Sequence, residues 1–245
     1  MRFDIITVFP EASASYLSTS ILKRAQERGL ISVKLHGLRK WGKGRHHQLD
    51  DKPYGGGAGM VLMARPILKA VMALRRIKNQ ESRIKETAVI LLSAKGEPFN
   101  QRTAYGWARR YKRLILISGR YEGIDERVRA MIHDSGFKIH EISIGPYVLT
   151  DGDVAAMTII SAVSRLIPGV IKLESLHEES HWNLLVKQEA HSTSSGQAAG
   201  ANGLEYPHYT RPEVLRWRGK SFRVPKVLLS GDHRRIADWR ATRSR

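Results

Sequence analysis

Five short apolar or β-branched runs, each followed further on by a stretch of helical periodicity, occupy residues 1–168 and confine the chain to an α/β fold. The runs lie at residues 2–8, 31–38, 88–92, 114–118 and 139–144. Those at 88–92 and 114–118 are apolar almost throughout, the pattern of a strand covered on both faces. Helices are expected over residues 15–28, 66–77, 100–111, 125–133 and 153–166. Gly29 supplies a C-cap for the first, and Pro168-Gly169 closes the last. Strand alternating with helix predicts a mostly parallel sheet in one α/β domain over residues 1–168.

The texture changes beyond that point. Residues 169–203 read as a flexible interdomain linker whose end, AHSTSSGQAAGANG (190–203), is low in complexity. Residues 204–245 form a small basic piece with eleven Lys/Arg against four acidic residues. A segment this short buries little on its own, so it is expected to pack on its own domain or on a second subunit. The whole chain has 41 Lys and Arg against 23 acidic residues, a net charge of +18. That surplus points to a polyanion, because neutralising phosphates releases condensed counterions; a merely solubilising charge is the alternative. The absence of cysteine excludes disulfides, thiolate metal sites and cysteine nucleophiles. The first residues carry no secretory pattern, and no apolar run reaches the ~18 residues of a membrane helix, so a cytoplasmic location without membrane partner is expected.

Four segments carry candidate chemistry. DDKPYGGGAGM (50–60) has four glycines in five positions and allows close backbone approach to a ligand. Met60-Val61 stands where a P-loop needs Lys-Ser/Thr, and a plain flexible loop remains the alternative. GRYEGIDER (119–127) follows a strand, where parallel sheets bind ligands, and reads equally as a salt-bridged helix start. SIGPYVLTDGD (143–153) has an apolar centre between glycines. It can offer backbone groups to an adenine while side chains sandwich the ring, or serve as a tight turn. LEYPHYTRP (204–212) mixes aromatics with a cation, which suits base stacking and phosphate contact, or an aromatic anchor. The ten histidines are scattered and His46-His47 has no partner at metal spacing, so no metal ligand is assigned.

Together with FDIITVFP, LLSAKGEPF, AVSRLIPGV and VPKVLLSGDH, these segments resemble the bacterial tRNA (guanine-N1)-methyltransferases, a family of the SPOUT class. They occur in the family's order along nearly the whole chain. The resemblance implies an α/β domain with a deep C-terminal trefoil knot and a small helical C-terminal domain that holds tRNA. It implies a homodimer whose sites are built from both subunits, with tRNA and not DNA as partner. The implied reaction is methyl transfer from S-adenosylmethionine to N1 of guanosine at position 37, beside the anticodon. By the same resemblance the cofactor is held by Ser93, Gly119, Tyr121, Glu122, Ile144, Gly145, Pro146, Tyr147, Val148 and Leu149. Tyr206, His208, Tyr209 and Arg211 fall to tRNA. Glu179 matches the family's general base, with Glu178 as the fallback, and Arg165 matches the arginine that faces the developing charge on guanine O6. A magnesium ion is a further family feature, with no all-oxygen cage legible here.

The chain departs from the family pattern at three places. Pro146 replaces an acidic residue, Asp151-Gly152-Asp153 replaces Gly-Gly-Glu, and the insert at about 186–202 interrupts the linker. Two rivals remain at this stage. One is another SPOUT enzyme acting on ribosomal RNA or a ribose hydroxyl. The other is a basic RNA-binding protein without catalysis.

Overall fold

The computed structural model describes residues 1–53, 59–75, 85–177, 209, 213–217 and 220–243. These fall into two compact units, Met1–Ile171 and Lys172–Arg245.

The first unit is built on a five-stranded sheet of order β2-β1-β6-β5-β7, with every pairing parallel. Its strands are β1 (Arg2–Thr7), β2 (Ser32–Gly37), β5 (Thr87–Pro98), β6 (Arg113–Ile117) and β7 (Lys138–Ser143). The pleat sends alternate residues to opposite faces. Phe3, Ile5, Ala88, Ile90, Leu114 and Leu116 enter one core. Ile6, Val89, Leu91, Ile115 and Ile117 enter the other. The helices α1 (Glu11–Leu17), α2 (Ser20–Glu27), α4 (Gln101–Arg110) and α6 (Asp153–Arg165) cover the first core. The helices α3 (Ala64–Arg75) and α5 (Arg127–Asp134) cover the second. This three-layer arrangement is what the continuous apolar runs predicted, and each fully buried Ile or Leu contributes about 1.5–3 kcal/mol.

The expected helix over residues 15–28 is in fact two. Ser18 Oγ donates to Ser15 O at 3.1 Å and Thr19 Oγ1 donates to Tyr16 O at 2.9 Å. Hydroxyls that turn back on the preceding carbonyls compete with helix continuation, and Ser20 sits at φ 49° where the second helix starts. The glycine-rich segment at 50–60, for which a plain flexible loop is one reading, opens on β3 (Asp50–Asp51), which pairs with β4 (Val61–Leu62) just beyond its end. Residues 54–58 of the glycine-rich segment lie outside the described residues.

In the second unit, α7 (Leu173–His177) is followed by an antiparallel pair, β8 (Val214–Trp217) with β9 (Lys220–Arg223), then α8 (Lys226–Leu229) and α9 (His233–Arg243). The hairpin adds strands to a segment expected to be helical.

At the amino end of the sheet, Asp4 is fully buried among cations. Arg113 Nε donates to it at 2.7 Å, Arg2 Nη2 lies at 2.7 Å and His36 Nε2 at 2.6 Å. Burial alone would raise this carboxyl. Hydrogen bonds from His36 and Arg2, with the charge and hydrogen bond of Arg113, outweigh it and hold the group at about 2. Because the folded value lies below the unfolded one of about 3.9, the stabilisation is complete above the unfolded value and is lost as pH falls through about 2. Asp4→Asn is expected to destabilise the protein by about 3–5 kcal/mol, since Arg113 stays buried beside a neutral group. Denaturant titrations between about pH 4 and pH 2 should lose stability in the parent and lose less in Asp4→Asn. Parallel curves would remove Asp4 from the acid response.

Candidate active site

The carboxyl ends of β5, β6 and β7 open on a cleft of about 390 Å³. Its volume is in the range of small-molecule sites, and ends of parallel strands are where open α/β sheets bind ligands. Three chain segments wall it.

The first is an excursion inside β5. Leu92 and Glu97 both pair with Ile142, so residues 93–96 loop out and pairing resumes beyond them. Ser93, Ala94 and Lys95 thereby reach the cleft.

The second is the loop after β6, which presents Gly119, Tyr121 and Glu122. Tyr121 has φ 59°, a left-handed conformation unusual for a bulky residue. Its neighbours are fixed from outside: Glu122 N donates to Met60 O, Leu62 N to Gly123 O and Asp125 N to Leu62 O, each at 3.0 Å. Strained backbone at a ligand site persists only where surrounding bonds hold it.

The third is the loop after β7. Ser143 Oγ donates to Gly145 O at 2.8 Å and Tyr147 OH donates to Ile144 O at 3.2 Å, which curls the chain back on itself. Ile144, Gly145, Tyr147, Val148 and Leu149 line the cleft, and Val148 is 86% exposed. Uncovered apolar side chains at a cleft lip gain by covering a flat ring.

Helix α6 starts against the end of β6. Gly152 N donates to Gly119 O at 2.9 Å, and a Cβ on Gly152 would stand 2.8 Å from Gly119 N. Only glycine permits that approach. The next residue, Asp153, is buried and accepts from Thr7 Oγ1 at 2.9 Å, with Ser13 Oγ at 3.5 Å. Burial pushes its carboxyl above the usual range; the Asp151 charge adds to this, while the hydroxyls of Thr7 and Ser118 and the Arg120 charge oppose it. Asp151 accepts from Asp153 N at 2.9 Å and lies 3.9 Å from Arg120 Nη2. The Arg120 guanidinium lies over the Phe9 ring at 4.5 Å. Periodicity gave no sign of the Thr7–Ser13–Asp153 network. Its trace in the sequence is a hydroxyl residue at the end of an otherwise apolar strand.

Five acidic residues (Glu122, Asp125, Glu126, Glu141, Asp151) line the cleft against three basic ones (Lys95, Arg120, Arg129). In a chain of net charge +18 this reverses the local sign. Most of these charges are paired, Lys95 with Glu126 at 2.7 Å, Arg129 with Glu141 at 3.4 Å, Arg120 with Asp151 at 3.9 Å and Asp125 with Arg127 at 2.5 Å, so little charge of either sign is left over and the lining's surplus is a small negative one. The lining suits a ligand with a cationic centre and disfavours a polyphosphate.

Nine of the ten residues assigned to the cofactor by resemblance line this cleft, and Pro146 belongs to the same loop without lining it. Arg165 sits in the last turn of α6, away from the cleft lining. Tyr209, in the second unit, is half exposed with its ring 6.3 Å from that of Trp239. Glu178, Glu179, Tyr206, His208, Arg211 and the insert lie outside the described residues. Among the described residues no group of three or more His, Asp or Glu side chains gathers as a metal site, and no helix is long and apolar enough to cross a membrane.

The sequence profile of the family described as tRNA (Guanine-1)-methyltransferase TrmD matches residues 1–245. The chain belongs to this family. A "tRNA (guanine-N(1)-)-methyltransferase" of Chloroflexus aggregans is 48% identical over 98% of this chain and 81% of its own length. Proteins of the same description from Thermomicrobium roseum and Carboxydothermus hydrogenoformans are 47% and 46% identical, over 77% and 83% of their lengths and 98% and 100% of this chain. Membership of this methyltransferase family implies S-adenosylmethionine as the methyl donor. The cleft fits that molecule on three counts: its volume, the uncovered apolar side chains for the adenine, and the acidic lining for the sulfonium and ammonium charges.

Gly152→Ala is expected to weaken S-adenosylhomocysteine binding at least tenfold, by forcing α6 away from Gly119. Calorimetric titration measures it, and an unchanged affinity would mean that the Gly119–Gly152 contact does not shape the cleft.

Proposed function

We propose that this protein methylates N1 of guanosine at position 37 of tRNA, with S-adenosylmethionine held in the cleft above β5, β6 and β7. The observation that carries this reading is the acidic, apolar-lipped cleft in a strongly basic chain that matches the family from end to end. The ten residues named above for the cofactor keep that role here, Pro146 as a backbone member of its loop.

When bound, the cofactor supplies an electrophilic methyl group on a positively charged sulfur. The protein's own residues must make guanine N1 a nucleophile, because that nitrogen carries a proton near neutral pH. Glu179 accepts the proton, with Glu178 in reserve. Loss of the proton drives negative charge onto O6, and Arg165 faces it, an effect of about 2.7–4 kcal/mol if it resembles an oxyanion-hole donor. The purine leaves its stack to enter the site.

The placement of Arg165 favours a site shared between subunits. Gly152 and Ala155 put the start of α6 at the cleft, and Arg165 lies twelve residues beyond Asp153, at the far end of the helix. Counted from Ala155, the last helix residue at the cleft, that is ten residues, or about 15 Å of helix axis at 1.5 Å per residue. A homodimer that brings the partner's α6 end to this cleft supplies the missing guanidinium. The family's deep trefoil knot is part of the same reading. The return of the loop after β7 to Gly119, beside the β5 excursion, supports it.

The domain plan follows: residues 1–168 catalytic, 169–203 a linker with its insert, and 204–245 a small basic domain for tRNA. Tyr206, His208, Tyr209 and Arg211 serve that last function, and the break between Ile171 and Lys172 supports the division. A cytoplasmic location follows from the substrate. A magnesium requirement belongs to the family reading without a donor set among the described residues.

Mass spectrometry of tRNA after incubation with protein and labelled methyl donor tests the reaction, the base and the position together. N1-methylguanosine at position 37 is expected, and an unmodified transcript would overturn the reading. Glu179→Gln should abolish turnover while S-adenosylhomocysteine still binds; joint loss of both would make Glu179 structural. The shared site predicts that inactive Arg165→Ala protein recovers activity when mixed, under subunit exchange, with an inactive Gly152→Ala protein. Continued inactivity in verified heterodimers would place Arg165 and the cleft in one subunit.

A further inference from the structure

Residues 28–49 contain no acidic residue, and their cations concentrate just after β2. Arg39, Lys40, Lys43, Arg45, His46 and His47 are all exposed. None of the four Lys and Arg side chains in this group has a carboxylate partner among the described residues. Some other cations of this unit do face a carboxylate, as Lys23 does Glu27 and Lys95 does Glu126; what sets this group apart is its density, four Lys and Arg within seven residues and no acidic residue from 28 to 49.

The segment is a closed loop. Lys43 N donates to Gln48 O at 2.8 Å and Gln48 N donates back to Lys43 O at 3.0 Å. Inside this pair His47 N donates to Gly44 O at 3.2 Å. A Cβ on Gly42 would run into the His47 backbone, so the base closes only with glycine there. Both ends are anchored: Leu38 before the loop and Leu49 after it are buried in the second core.

The loop is also tied to the cleft by backbone. Its exit runs into β3, β3 pairs with β4, and β4 bonds to the cleft loop at Gly123 and Asp125. On its entry side the Arg39 guanidinium lies 6.0 Å from the Phe9 ring, whose other cation is the cleft residue Arg120.

We infer that this closed loop, residues 42–48 with Arg39 and Lys40 at its base, is an RNA-backbone contact that guides the tRNA strand beside the cleft. The inference rests on the tRNA reading above. Phosphates are the fitting partner because the loop offers several uncompensated charges, held in place before binding, next to a cleft whose own lining repels anions. A preformed cationic loop loses little conformational entropy on binding.

The test compares three variants of the full-length protein. Lys43→Gln/Arg45→Gln removes two exposed loop charges. Arg102→Gln/Lys138→Gln removes two exposed charges from α4 and β7 and lowers the net charge by the same two units as the loop pair. Gly42→Ala keeps every charge and distorts the base of the loop. Fluorescence titrations with tRNA over a range of salt give the affinity and its salt slope.

The loop pair is expected to bind tRNA roughly tenfold more weakly near physiological salt, with a slope shallower by about 1.4–1.8. Its methylation defect should lie in KM for tRNA, with S-adenosylhomocysteine affinity unchanged. Gly42→Ala should weaken tRNA binding at unaltered charge, and the α4/β7 pair should change it much less. A parental slope in the loop pair, or equal losses in the two charge pairs, would overturn the inference. Failure of the parent protein to methylate would sink the functional reading instead, because the slopes judge the loop without any turnover.

Discussion

The pairing of β5 with β7 is the constraint on which the rest depends. β5 is bonded to β6 along one side and to β7 along the other, so its path fixes three strand ends at once. Pairing with β7 stops at Leu92 and resumes at Glu97 against the same partner residue. Within that interruption Ser93, Ala94 and Lys95 form one wall of the cleft, while Gly96 stays against the backbone of β7. An uninterrupted β5 would pair flush with β7 and leave no crevice between the strand ends. The loops after β6 and β7 can face each other only because this strand has stepped aside between them.

Electrostatics divides the molecule by task. The chain as a whole is strongly cationic, which draws RNA from a distance and holds it by its backbone. The cleft is acidic, so that long-range attraction ends at its mouth. On the proposed reading the cleft takes the cationic donor, and an uncharged base suits its lining better than a phosphate does. The buried Asp4 cluster belongs to neither task. It lies at the amino end of the sheet and locks β1, β2 and β6 together through one carboxylate.

Much of the fold could be read from the sequence because the physics was local. Runs such as AVILL and LILI have one stable use in a chain of this kind, a strand covered on both faces, and β5 and β6 are such strands. What periodicity missed depends on single side chains or on distant pairings. The break between α1 and α2 comes from two hydroxyls at Ser18 and Thr19. The extension of β5 to Pro98 crosses a lysine and a glycine that read as loop, and it exists only because β7 is there to pair with. The cleft segments stood out through glycines flanking aromatic or charged residues. That pattern marked where a ligand could lie without giving the sign of the local charge, since Glu141 and Arg129 come from elements that looked merely structural.

The ladder from β3 through β4 to the loop at Tyr121–Asp125 has a thermodynamic corollary. Two ligands that touch opposite ends of one continuous hydrogen-bonded track cannot be energetically independent if either shifts it. Whatever factor the donor adds to the grip on the nucleic acid, the nucleic acid must return to the donor in full, by linkage. The free energy of the ternary assembly is then the same whichever ligand arrives first, and order of addition is a matter of kinetics alone.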